Sequence, residues 1–131
     1  MSSLQKSRLR QEGITHILKV NGIPSSALEK MHVKENKVVS LEDNEHYDIS
    51  DSDLQECFSF IKPTNRTIIV CTAGISRSST ICIAYLMRYE GLSLEKAFSQ
   101  VKAARRFVKP NPGFWRFLER YEQRLKLNPR L

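Results

Sequence analysis

The chain has 131 residues, 40% hydrophobic and 27% charged, which is the composition of an ordinary globular domain long enough to bury a core unaided. No apolar run approaches the roughly 18 residues of a membrane span, and the opening MSSLQKSRLRQEG lacks the apolar middle of a secretory signal. The net charge of +7 is uneven: residues 102–131 hold nine Lys/Arg against two Glu, whereas residues 1–101 balance at twelve of each. A basic third can attract acidic partners, nucleic acid or a membrane surface, but its simplest reading is the solvated faces of two helices. Three cysteines, Cys57, Cys71 and Cys82, form neither a disulfide framework nor a zinc site. A reduced, intracellular chain follows as the expectation, in the cytoplasm with the nucleus left open.

In chain order, SLQKSRLRQE reads as a short polar helix closed by Gly13. ITHILKV, residues 14–20, is β-rich and reads as a buried strand. NGIPSS is a turn, KVVSL (37–41) a second strand, and residues 42–52 a polar, acidic loop. Leu54, Cys57, Phe58 and Ile61 recur at i, i+3, i+4, i+7, an amphipathic helix stopped by Pro63. TIIVC is the third strand. A helix beginning near Ser76 and continuing through SSTICIAYLMRY is apolar on nearly every side and should cross the core. Ser93 caps a helix with the stripe Leu94, Ala97, Phe98, Val101 and Ala104. Asn111 and Pro112 open a last helix with the stripe Phe114, Phe117, Leu118, Tyr121 and Leu125, ended by Asn128-Pro129. Strands alternating with helices imply an α/β layer fold with a mostly parallel central sheet flanked by helices. Ligands in such sheets bind beyond the carboxyl ends of the strands, where Cys71 stands.

The stretch CTAGISR after the third strand carries the chemistry. A loop curling from a strand into a helix N-terminus turns its backbone N–H groups inward as a nest for an anion. Gly74 permits the bend, and Arg77 offers a planar fork matching two phosphate oxygens. N–H groups, helix dipole and guanidinium together stabilise a thiolate at Cys71. A thiolate beneath a bound phosphate is a nucleophile set for in-line attack on phosphorus. Ser78 can offer its hydroxyl to the sulfur as it leaves.

CTAGISRSST followed by IAYLM resembles the Cys-x5-Arg phosphate loop of the protein tyrosine phosphatase superfamily, in the version of the dual-specificity phosphatases. GITHILKV, ECFSFI and GLSLEKAFSQVKAARRFVKPNPGF are similar to further segments of that family, so the likeness runs from about residue 13 to 125. The small atypical members without a docking domain fit best. The resemblance implies one catalytic domain over residues 1–131 with the tyrosine-phosphatase-like α/β fold. It implies metal-independent hydrolysis of phosphotyrosine and phosphoserine/threonine in proteins, with no cofactor. Cys71 is then the nucleophile, and Thr72, Ala73, Gly74, Ile75, Ser76 and Arg77 hold the phosphate or another oxyanion. Asp43 is the positional match for the general acid, with Glu42 and Asp48 as rivals, and Asn111 steadies the loop besides capping its helix. Val70 departs from the pattern: the family usually has a histidine there, which organises the loop and lowers the thiol pKa. The connection KPTNR is also leaner than usual.

Other residues read more plainly. His16, His32 and His46 form no metal pattern, Cys57 and Cys82 are packing residues, and Trp115 lies at the rim of the core. Thr72, Ala73, Ile75 and Ser76 bring no positive charge, which argues against polyanionic phosphoinositides as substrates. Two other readings stay open: a pseudophosphatase that binds phosphoproteins without turnover, because Val70 weakens activation, and an RNA 5′-end phosphatase suggested by the basic helices. The aromatics of the last helix belong to its buried stripe rather than to a stacking platform, so nucleic acid is not an expected partner. Oligomeric state has no signature in the sequence.

Overall fold

The computed structural model describes residues 16–20, 35–42, 44–61, 67–70, 76–104 and 109–128. The expected helix over residues 3–12 and the turn at 21–26 lie outside them. Among the described residues, three short strands, β1 (His16–Lys19), β2 (Glu35–Val38) and β3 (Thr67–Val70), form a parallel sheet in the order β2-β1-β3. The helices among the described residues are α1 (Asp51–Phe60), α2 (Arg77–Tyr89), α3 (Leu94–Ala104) and α4 (Pro112–Leu127).

β1 is buried along its whole length, as a central parallel strand must be. β2 sits two residues earlier than the expected KVVSL. Its ladder ends at Val38, Val39 N–H still donates to the Lys19 carbonyl (2.8 Å), and beyond the ladder the Leu41 carbonyl accepts from Arg77. α1 begins inside the stretch expected as loop. Ser50 and Asp53 form a reciprocal capping box that starts it at Asp51: Asp53 N–H donates to Ser50 Oγ at 3.0 Å, and Ser50 N–H to Asp53 Oδ2 at 3.1 Å.

α2 is the hub. It packs on β3 and on each of the other three described helices, burying Ile81, Ile83, Ala84 and Met87. Burying an isoleucine side chain contributes about 1.5–3 kcal/mol of transfer free energy. Leu18 and Ile69 of the sheet, with Val20 and Val39 just beyond its strands, meet Phe114, Phe117, Leu118 and Tyr121 of α4 in one continuous core. The α3 stripe is shorter than its spacing suggests: Leu94 and Ala97 are buried, Phe98 and Val101 half-buried, but Ala104, at the edge of the stripe in the final turn, is exposed. Trp115 is half-buried and meets Phe98 edge-to-face at 5.2 Å. Glu122 of α4 accepts from Leu94 N–H (2.6 Å) while Ser93 Oγ accepts from Lys96 N–H (3.2 Å), so α3 is capped from two directions.

One bidentate ion pair ties the first turn of α1 to the last turns of α4. Arg124 donates to both Asp51 carboxylate oxygens at 3.0 Å. The hydrogen-bonded guanidinium holds the Asp51 carboxyl below its ordinary 3.8. A lowered folded value adds stability above the unfolded pKa, and that stability is lost as pH falls through the folded one. Both partners are well exposed, so the contribution is under about 1 kcal/mol. Arg124→Ala is expected to lower unfolding free energy by less than about that amount at pH 7. The gap from wild type should close as pH drops through and below the ordinary 3.8, as read from urea denaturation at each pH.

Candidate active site

The parallel strands end together at Lys19, Val38 and Val70. Cys71, Thr72, Ala73, Gly74 and Ile75, which follow β3, and Asp43, in the loop after β2, lie outside the described residues. Their flanks are described, and these meet through three contacts.

The first comes from Arg77, the opening residue of α2. It is only 8% exposed, and its guanidinium donates to the Leu41 carbonyl at 3.2 Å. A side chain at the end of the phosphate-loop sequence thus grips the backbone two residues before Asp43. The second joins α2 to α4. Ser76, the N-cap of α2, makes no side-chain cap of its own; its hydroxyl instead accepts from Asn111 N–H at 2.9 Å. The Asn111 side-chain Oδ1 accepts from Phe114 N–H at 2.8 Å and caps α4. One residue therefore starts a helix and holds the beginning of another. The Ser76 carbonyl in turn accepts from Thr80 N–H (3.1 Å), Ser79 Oγ (3.1 Å) and Thr80 Oγ1 (2.7 Å), which tightens the first turn of α2. Ser78, in the same turn, is almost fully buried.

The third contact joins α4 to the acidic loop. Gly113, at the second position of α4, lies so close to Glu45 that a Cβ there would fall on its carbonyl oxygen and 2.6 Å from its carbonyl carbon. Only glycine fits. The acidic loop is braced from within as well. Asn44 N–H donates to the Glu42 carbonyl at 2.9 Å across position 43, and His46 N–H donates to Asn44 Oδ1 at 2.8 Å. The Tyr47 hydroxyl reaches both the Ser40 carbonyl (3.3 Å) and Asp53 Oδ2 (3.1 Å). Burial, and then the nearby Asp53 charge, raise the Tyr47 pKa above 10.0, so the phenol keeps its proton. The rival carboxylates Glu42 and Asp48 are both exposed on this loop.

Sequence reading missed Gly113, Tyr47 and the Leu41 carbonyl. A glycine inside a helix carries a propensity cost that hints at close packing, and Tyr47 is the lone aromatic in an acidic stretch. A backbone carbonyl has no sequence signal at all. Cys57, on α1, is fully buried, and burial followed by the Asp53 and Glu56 charges pushes its thiol up to about 12. It is a packing residue. Among the described residues no three His, Cys, Asp or Glu side chains gather as metal ligands, and no helix is long and apolar enough to cross a membrane.

A family model described as dual specificity phosphatase, catalytic domain, matches residues 1–124. Dual specificity phosphatase 28 of Homo sapiens is 54% identical over 59 residues, which are 45% of this chain and 34% of that protein. Dual specificity protein phosphatase 18 of Pongo abelii is 32% identical over 121 residues, 92% of this chain and 64% of that protein. The matches thus span from about a third to just under two thirds of these relatives' lengths. Among solved structures, that of human DUSP28 superposes with a TM-score of 0.77 at 30% identity, covering 93% of this chain and 86% of the other. That of DUSP15 gives 0.75 at 28% identity, covering 93% and 83%. With almost the whole sequence matched and the fold shared, the chain belongs to the dual specificity phosphatase catalytic-domain family.

Proposed function

We propose that residues 1–131 form one catalytic unit that hydrolyses phosphotyrosine and phosphoserine/threonine in proteins through a cysteinyl-phosphate intermediate. The observation that carries this reading is the buried Arg77 guanidinium bonded to the stem of the acidic loop, which ties the phosphate-loop sequence to the sequence that contains the acid.

In the proposed reaction the phosphate monoester sits against the backbone N–H groups of residues 72–77 and the fork of Arg77. These groups neutralise the charge that grows on the equatorial oxygens. The Cys71 thiolate attacks phosphorus in line. The phosphorus–oxygen bond to the leaving group breaks, and Asp43 gives that oxygen its proton. Water then attacks the phosphocysteine, the Asp43 carboxylate takes a proton from it, and inorganic phosphate leaves as the thiolate is restored. Ser78 donates a hydrogen bond to the departing sulfur. Asn111 steadies the loop through Ser76, to which its N–H is bonded. The uncharged residues Thr72, Ala73, Ile75 and Ser76 favour singly phosphorylated side chains over polyanionic lipid headgroups. The proposed setting is the cytoplasm, with the nucleus left open, and no cofactor enters the reaction.

Turnover of a small aryl phosphate across pH 5–8 in the presence of a chelator tests the reading. Wild type should turn over, Cys71→Ser should show none, and Asp43→Asn should lose about 10²–10⁴-fold. Should Glu42→Gln or Asp48→Asn cause that loss instead, the acid is reassigned. A wild type as inactive as Cys71→Ser, yet able to bind phosphopeptide, would replace the enzyme by a binding module.

Gly113→Ala is a test remote from the reacting atoms. Its methyl group must displace the Glu45 backbone, which costs about 1–3 kcal/mol of stability and moves the loop that carries Asp43. Because a misplacement of about 1 Å can cost on the order of 10²-fold in rate, kcat should fall by more than ten-fold in protein that still melts cooperatively. Unchanged kcat in folded Gly113→Ala would show that this contact does not set the position of the acid.

A further inference from the structure

We infer that the ridge of α4 formed by Arg116, Arg120 and Arg124 is a docking surface for an extended acidic segment of a partner protein. The inference is independent of the cysteine mechanism, since every residue it uses lies on a helix away from the reacting atoms. The positive excess of the chain falls in residues 102–131, with nine Lys/Arg against two Glu, and α4 sorts its charges by face. Positions 116, 120 and 124 follow one another at i, i+4 along a single helix ridge. Arg116 and Arg120 are exposed, and neither has an ion pair among the described residues. Glu119 and Glu122 fall on the other flank, toward α3, where Glu122 accepts from Leu94 N–H. Like charges spaced i, i+4 destabilise a helix. A ridge of arginines without acids beside them therefore works against the helix that carries it, and an acidic partner laid along it removes that repulsion.

The third arginine shows the chemistry the ridge takes. Arg124 donates to both carboxylate oxygens of Asp51 at 3.0 Å, the bidentate pairing that a guanidinium fork makes with a carboxylate. Arg120 and Arg116 repeat that donor nearer the start of α4. With a rise of about 1.5 Å per residue, neighbouring arginines stand about 6 Å apart along the axis. In an extended peptide, side chains on one face recur every second residue, or about 6.6 Å. Acidic residues at alternate positions of such a peptide therefore meet successive arginines. Other anionic partners fit this face less well. Single-stranded nucleic acid stacks its bases on exposed rings, whereas Phe114, Phe117 and Tyr121 are buried and Trp115 packs edge-to-face on Phe98. A helix lying on a membrane buries an apolar face among the lipids, but on α4 only Leu127, its last residue, is a large apolar side chain that stands exposed.

The test is fluorescence anisotropy of a labelled peptide alternating Glu with Ser, titrated with the full chain at low and at near-physiological salt. Wild type should bind, and more weakly as salt is raised. Arg116→Gln with Arg120→Gln should weaken binding about five-fold or more. Lys96→Gln with Lys102→Gln, which removes the same charge from α3, should leave it within about two-fold. All four positions are exposed, so both double variants should melt as cooperatively as wild type. No binding by wild type, or an equal loss in the α3 variant, overturns the inference. A peptide of equal charge with its glutamates three residues apart should bind more weakly than the alternating one, and equal affinity overturns the fit to an extended segment. Oligouridylate and phosphatidylserine vesicles are the competing probes. If the Arg116 and Arg120 substitutions abolish binding of either while leaving the acidic peptide bound, the inference falls and the face belongs to nucleic acid or to a lipid surface.

Discussion

The bond from the Arg77 guanidinium to the Leu41 carbonyl is the interaction on which the site's arrangement depends. A guanidinium that is 8% exposed cannot be left without acceptors, because burying charge unpaired is expensive. A hydrogen bond to a charged group is worth about 1.5–3 kcal/mol, and here it is made to a backbone atom 36 residues away in sequence. The sheet makes that reach possible. With strand order β2-β1-β3 and every strand parallel, the chain leaving β2 and the chain leaving β3 emerge at the same end, separated by the width of β1 alone. The arginine spans that gap. In doing so it joins the stem of the acidic loop to the start of α2.

The other braces divide the same task. Glu42, Asp43, Glu45 and Asp48 crowd one short loop with like charges, which by themselves would spread it. Tyr47 pins its two ends together, bonding to the Ser40 carbonyl on one side and to the α1 capping box through Asp53 on the other. Gly113 lets the start of α4 bear directly on its middle at Glu45, and the Asn111 N–H to Ser76 bond fixes that start to α2. A catalytic acid needs little reorganisation at the moment of reaction when its backbone is already held. Of the groups that brace this loop, Tyr47 and Gly113 take no part in the proposed chemistry, whereas Arg77 has a place in both.

Which features the sequence makes legible follows from where their signals reside. The period of the α4 stripe, the Asn111-Pro112 start and the Ser93 cap are side-chain patterns within a few residues of one another, and the structure has them where the spacing puts them. The alternation of strands and helices likewise announces a parallel sheet. The offset of β2 was not legible, because Val39 and Leu41 are as apolar as strand residues but are buried under helices after the ladder has ended. The Leu41 carbonyl, the space denied at Gly113 and the burial of Lys19 are properties of tertiary neighbours. A lysine in ITHILKV reads locally as one polar residue in an apolar strand, and only the assembled sheet reveals that it is enclosed.

Cys57 shows what the core does to a thiol when little positive charge is nearby. Burial is the largest influence on it, Asp53 and Glu56 add to the effect, and Lys37 opposes them too weakly to matter, so the group stays protonated up to about 12. A cysteine that follows β3 would, if buried, meet the same desolvation. For such a residue to ionise near neutral pH the desolvation must be offset by charges and donors far closer than Lys37 is to Cys57. The start of α2 brings Arg77 and the positive end of a thirteen-residue helix dipole to that end of the strand. In the proposed mechanism, what would separate Cys71 from Cys57 is how far the positive potential of neighbouring elements offsets the cost of desolvation.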